Sequence, residues 1–211
     1  YYAGGQITTG LRNVAIGNYA LDEATTGEGN VCVGYYAGSK ITTGELQVAV
    51  GHYALQRCTT GSRNTAIGRM CLEDITTQDD NTGVGYNALA QNIASDNTAV
   101  GSAALGSNTT GTDNTGVGYN CLSTNTTADY NSAIGAYALK DNTTGTQNTA
   151  VGYYALKSNT IGYYNTAVGG QSLAANTTGQ ENTALGYNTL NANTTGTHNT
   201  ALGESALEVN T

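Results

Sequence analysis

The side chains able to do chemistry in this 211-residue chain are few: 2 His, 4 Cys, 15 Tyr and some neighbouring carboxylates. A zinc site announces itself as C-x-x-C or a Cys/His cluster, and Cys32, Cys58, Cys71, Cys121, His52 and His198 form neither. A catalytic nucleophile needs a base and an orienting acid beside it, and no such set converges. Acidic pairs such as Asp79-Asp80 and Glu73-Asp74 could supply the oxygen ligands that calcium takes, but they fall on outer turns, where solvated charge is the usual explanation. The glycines lack the G-K-[ST] ending of a phosphate loop. The chain is therefore expected to hold no catalytic residue, no metal and no cofactor, and not to be an enzyme.

The tyrosines are more informative. Tyr35, Tyr36, Tyr86, Tyr119, Tyr153 and Tyr154 recur in one short motif and make a candidate surface-binding stripe. Such rings either cover the protein and pack on one another or stack on a sugar or a receptor. Asn108, Asn125, Asn142, Asn176 and Asn193 match the N-x-[ST] glycosylation pattern, which is weak alone.

What positions these residues is a repeat. Gly recurs at 17, 34, 51, 68, 85, 101, 118, 135, 152, 169, 186 and 203, in steps of 17 broken once by a step of 16 after Gly85. The lost residue falls within 91–96, where the usual T-T-G is degraded, so that segment reads as a loop. The unit is N-T-A-V-G-x-x-A-L-x-x-N-T-T-G-x-x, and about twelve copies fill residues 1–211 as one repetitive segment. The chain begins and ends inside a unit, which is expected of a portion of a longer protein.

Counting from the first Asn, the fourth position is always Val, Ile or Leu, and it is the expected core: Ile67, Val84, Val100, Val117, Ile134, Val151, Val168 and Leu185. The second position should share its face, because strand side chains two apart point the same way. The third and eighth positions are small, and the ninth is Leu in nearly every unit. Every Lys, Arg, Asp and Glu falls at position 6, 10, 11, 16 or 17, so those five face water. The first position is Asn64, Asn81, Asn97, Asn114, Asn131, Asn148, Asn165, Asn182 and Asn199 across most of the chain, a candidate amide ladder running from unit to unit. Position 12 alternates between Asn and Ile or Cys, which marks it as inward-facing and would hide its N-x-[ST] sites.

Two helices do not fit in seventeen residues rich in Gly and β-branched side chains. The expected fold is all-β: a β-solenoid of about twelve coils, each with two short strands at N-T-A-V and near A-L, rising about 4.8 Å per coil into a rod roughly 60 Å long. With no Phe, no Trp and 1 Met, the interior must be thin. The two small-residue rows at positions 3 and 8 are then expected to meet other copies of the chain, three rolls around an axis supplying the missing thickness. The net charge of −8 argues against nucleic acid and anionic lipid as partners. No apolar run approaches the roughly 18 residues of a membrane span, so this segment is not expected to insert in a membrane.

Ala15-Ile16-Gly17, Ala66-Ile67-Gly68 and Ala133-Ile134-Gly135, each preceded by Asn and Thr, Val or Ser, resemble the N-S-x-A-I-G signature of the YadA-type head of trimeric autotransporter adhesins. The longer N-T-A-[VI]-G-Y-x-A-L-x-x-N-T-T-G form resembles repeats of bacteriophage and phage-like tail fibres. The resemblance covers the whole chain, although the adhesin repeat is usually a few residues shorter. It implies a left-handed β-roll, a parallel homotrimer, and a place outside the cell, on a cell surface or on a virion. The function it implies is structural, the shaft or head of a fibre presenting a receptor-binding tip. The alternatives are an adhesin that binds glycan or matrix directly through its Tyr and Asn surface, and an ice-binding protein with Thr ladders.

Overall fold

The computed structural model describes residues 1–209, which group into two compact units, 1–103 and 104–209. The first holds β1 (Val14–Ile16), β2 (Val31–Val33), β3 (Val48–Val50), β4 (Thr65–Ile67), β5 (Thr82–Val84) and β6 (Thr98–Val100). The second holds β7 (Thr115–Val117), β8 (Ser132–Ile134), β9 (Thr149–Val151), β10 (Thr166–Val168), β11 (Thr183–Leu185) and β12 (Thr200–Leu202). Among the described residues there is no helix. Within each unit every strand pairs in parallel with the next, one repeat on, as in Val14↔Val31 and Thr149↔Thr166. The protein is thus an all-β parallel β-solenoid in which one repeat makes one coil.

Each strand is three residues long, at positions 2 to 4, and Gly at position 5 ends it. At Gly118 φ is +139°, and a Cβ there would lie 2.5 Å from the carbonyl oxygen of Gly135 in the next coil. The turn conformation and the close approach of the neighbouring backbone both demand glycine. The 16-residue step is absorbed in the turn after Gln91: β5 and β6 still pair as Thr82↔Thr98, while Asn92 and Ala94 stay buried.

The expected second strand is absent. Positions 7 and 9 both take the left-handed conformation, as in Tyr154 (φ 61°) and Leu156 (φ 50°), and a strand cannot run through two such residues. Inter-coil hydrogen bonding continues regardless: Leu139 N donates to Ala155 O and Leu156 N to Ser172 O, each at 3.0 Å. A left-handed Leu costs about 1–2 kcal/mol. Burying its side chain completely contributes about 1.5–3 kcal/mol, and the ninth-position Leu side chains from Leu21 to Leu190 are fully buried.

The core is not where the fourth position put it. Ile67, Val100, Ile134 and Leu185 are exposed, and Val84, Val117, Val151 and Val168 are only half-buried. The interior is lined instead by the third, eighth and ninth positions, for example Ala150, Ala155 and Leu156, all with no exposed surface. The reason is volume. Strand alternation offers the inside either position 3 or positions 2 and 4, and the ninth-position Leu already fills a narrow coil, so only a small side chain fits beside it. The third and eighth positions consequently cannot form an interface between chains, because from Ala20 to Ala201 every one of them is buried inside its coil.

The fit is tight enough that substitutions come in compensating sets. Where position 8 is Cys71, the next coil's third position is Gly83, whose Cβ would sit 2.5 Å from the Cys71 sulfur. Cys32 at a third position faces Gly38, where a Cβ would lie 2.6 Å from its sulfur. Gln47, longer by one methylene than the usual Asn, has Cys58 at position 12, with its Nε2 3.4 Å from the Cys58 sulfur.

Candidate functional site

The amide ladder is continuous within each unit. In the second, Asn148 Oδ1 accepts from the backbone N–H of Asn165 at 3.0 Å, while Asn148 Nδ2 donates to Gly162 O at 2.8 Å and to Asn131 Oδ1 at 3.2 Å. Asn131, Asn165 and Asn182 repeat the pattern, with Asn199 half-buried at the last coil and Asn114 accepting from Asn131 N. In the first unit Asn64 Oδ1 accepts from Asn81 N, and Asn81 Oδ1 accepts from Asn97 N. Each side chain thus ties the start of its strand to the T-T-G turn and to the neighbouring coils. The second unit adds a parallel ladder at position 12, where Asn125, Asn142, Asn159, Asn176 and Asn193 each donate to the Asn before them at 2.7–3.0 Å. The first unit has Ala24, Ile41, Cys58 and Ile75 at that place, all buried, before Asn92 restores an amide there. The N-x-[ST] asparagines therefore sit inside the coil, closed to a glycosylating enzyme.

Stacked threonines run beside these amides. Thr126, Thr143, Thr160 and Thr177 Oγ1 each donate to the thirteenth-position carbonyl of the following coil at 3.0–3.2 Å.

The four cysteines are free and buried, and burial pushes each thiol up to about 12. They stay protonated at neutral pH, which removes the thiolate that nucleophilic or metal chemistry requires. Asp79 and Asp80 meet Arg63, whose Nε lies 2.7 Å from Asp80 Oδ1 and whose Nη2 lies 3.2 Å from Asp79 Oδ2. Hydrogen bonding to Arg63 holds the Asp80 carboxyl below its ordinary value. Asp74 pairs with Arg57 at 2.8 Å. These carboxylates neutralise arginines one coil away, and no group of three or more His, Cys, Asp or Glu among the described residues converges on a metal position. His198 lies 3.0 Å from Glu181, and His52 stacks on Tyr53 with ring centroids 4.1 Å apart, so the histidines serve separate local contacts.

The tyrosines form a cluster in each unit. Tyr2, Tyr19 and Tyr36 stack at 5.4 and 4.7 Å, with Tyr35 edge-on to Tyr36 at 4.6 Å. In the second unit Tyr137 meets Tyr119 at 5.3 Å and Tyr154 at 5.1 Å, and Tyr153 lies 3.9 Å from Tyr154. Tyr35, Tyr86, Tyr119 and Tyr153 are exposed, while Tyr36 and Tyr154 are half-buried beneath their neighbours. Desolvation, with the neighbouring rings, raises the Tyr36 and Tyr137 hydroxyls above their ordinary value.

No protein-family model, curated protein or solved structure matches the chain.

The most distinctive surface is one that sequence reasoning turned inside out. In the first unit, Ile16, Val33, Val50, Ile67, Val84 and Val100 form a row of aliphatic side chains along the outer face of the sheet, with Val14, Val31 and Val48 beside them. In the second, Val117, Ile134, Val151, Val168, Leu185 and Leu202 form another, flanked by Thr and Ser. Ile16 is 59% and Ile134 47% exposed. No charged residue interrupts either row. The signal that locates it is the uniformly small third position: in a strand this narrow, the smallest side chain marks the inside. No helix among the described residues is long and apolar enough to cross a membrane.

Proposed function

We propose that this chain is a rigid structural segment of a trimeric extracellular or virion fibre, a tail fibre or an adhesin, that holds a receptor-binding tip away from its particle or cell. The observation that carries this reading is the uncharged aliphatic row at position 4 in each unit. Contiguous apolar surface of this kind marks an interaction site. A periodic row, identical coil after coil, fits best against an equally periodic partner, and the simplest such partner is a second and third copy in parallel. Three left-handed rolls set around a common axis would turn their rows inward, and each fourth-position side chain that passes from half-exposed to buried would contribute on the order of 1 kcal/mol.

The role is mechanical rather than catalytic. Coil-to-coil hydrogen bonds, two amide ladders and the absence of Pro keep every strand paired, which suits a shaft exposed to proteases and shear outside the cell. Nucleic acid and membrane insertion have no part in it.

The test is Ile134→Asp and Val151→Asp against Lys157→Ser, each followed by size-exclusion chromatography with light scattering and by circular dichroism. The aspartates point outward, so the coil survives and the mass falls to one chain, whereas Lys157→Ser keeps the unmodified assembly. Aspartate variants that elute with unchanged mass overturn the reading.

A further inference from the structure

The coil Asn165–Glu181 differs from those on either side. Its outward positions carry Gly170, Ala174 and Ala175, where the preceding coil carries Tyr153, Lys157 and Ser158. The short side chains of Ala174 and Ala175 leave an open groove of about 310 Å³ within the second unit. Ala174 and Ala175 form its floor. Tyr154 and Lys157 stand on one side, and Asn191 stands on the other, roughly 10 Å away at two coil steps. Tyr187 closes over Gly170, where a Cβ would lie 3.3 Å from its ring.

The chemistry of the walls is specific. The Lys157 ammonium sits 5.1 Å from the centre of the Tyr154 ring, and Lys157 enters no ion pair among the described residues, although Lys140 one coil earlier is paired with Asp141 at 3.4 Å. Asn191 Nδ2 donates to Asn188 Oδ1 at 2.6 Å, which leaves its own carbonyl oxygen to accept. The Gln171 amide and Ser158 hydroxyl also line the groove and offer donors and acceptors together. Aromatic rings, closely spaced amides and hydroxyls, and one unneutralised cation suit a pyranose ring carrying a carboxylate: its C–H face on tyrosine, its hydroxyls on the amides, its acid on Lys157. The chain's net charge of −8 disfavours long polysulfated polymers, whose many charges it would repel.

We infer that the groove over Ala174 and Ala175 is a binding site for an acidic sugar residue of the uronic-acid or sialic-acid type. The site lies within one chain and on positions that carry charge elsewhere, away from the aliphatic row, so it does not depend on the assembly proposed above.

The test is saturation-transfer difference NMR and titration of the full chain with methyl α-glucuronide, methyl α-sialoside, methyl α-glucoside and a heparin fragment. The variants borrow residues that other coils already hold at the same positions: Lys157→Ser, Tyr154→Asn and Ala174→Glu. One or both acidic monosaccharides should bind at least about fivefold more tightly than the glucoside, a margin within the range of one exposed charge pair. Lys157→Ser should erase that margin, Tyr154→Asn should weaken acidic and neutral sugars alike, and Ala174→Glu should abolish binding of the acid. Absence of transfer from both acidic sugars, equal affinity for the glucoside, tighter binding of heparin, or affinities unchanged in the variants would each overturn the assignment.

Discussion

Replacing Asn148 by Asp changes one atom of the ladder and reverses its logic. Asn148 Nδ2 donates to Gly162 O at 2.8 Å and Asn131 Oδ1 at 3.2 Å, both acceptors, in a site with no solvent exposure. A carboxylate there would face two oxygens without a donor between them, while still accepting from Asn165 N. Leaving a buried polar group unsatisfied costs about 1–3 kcal/mol, and more for a charged one. At pH 7 the loss should therefore reach about 3 kcal/mol or beyond, and the Asp should respond by holding its proton, with its carboxyl raised above the ordinary value. A group whose folded pKa is raised binds its proton more tightly in the folded state. The variant should thus recover stability as the pH falls toward the unfolded carboxylate range near 4. Asn148→Ala, which orphans the Asn165 N–H and opens a small cavity, should lose about 2–4 kcal/mol at both pH values. Chemical denaturation followed by circular dichroism at pH 7 and pH 4.5, each variant referred to the unmodified protein at the same pH, gives both numbers. An Asp variant within about 0.5 kcal/mol of the unmodified protein at pH 7, or one whose deficit is the same at both pH values, refutes the ladder as a stabilising element.

Three other predictions concern packing and titration. Gly83→Ala should destabilise the coil by about 1–3 kcal/mol through the clash with the Cys71 sulfur, and Cys71→Ala in the same chain should restore most of that, a coupling that a double-mutant cycle measures. The four thiols should resist a disulfide reagent in the native protein at pH 8 and react fully once it is unfolded. Because burial raises them from 9.0 to about 12, the stability they contribute is complete below pH 9 and falls by about 1.4 kcal/mol per pH unit per thiol between about 9 and 12. Denaturation curves across that range should show the decline, and replacing Cys121 by Ala should make it shallower. Ala150→Arg should abolish the coil itself rather than only association, since Ala150 is fully enclosed; native-like circular dichroism from that variant would contradict the placement of the core.

The period, the outward place of every charge and the inward place of position 12 were legible because each is a property of the repeat: one coil, one set of environments. Inside and outside of the strand were not. Hydrophobicity ranks Val151 above Ala150, and only the volume left beside Leu156 reverses the order, a quantity that depends on the coil's cross-section rather than on any one residue. The same holds for the segment around Leu156, which reads as a strand by composition. There the left-handed turns at Tyr154 and Leu156 follow from closing seventeen residues into one loop, since neither Tyr nor Leu favours that conformation alone. The amide ladder could be read from Asn at every first position, but its partners, the T-T-G carbonyls across the coil, could not. The groove over Ala174 and Ala175 is visible in sequence only after the coils are aligned, as a unit whose positions 10 and 11 are both methyl groups.

Sedimentation equilibrium of the unmodified chain bears most directly on the claim that the outward aliphatic rows are covered by other copies of the same protein. The account predicts a single species of three times 21.6 kDa that persists on tenfold dilution. A species of 21.6 kDa, with those rows left bare in water, would contradict it.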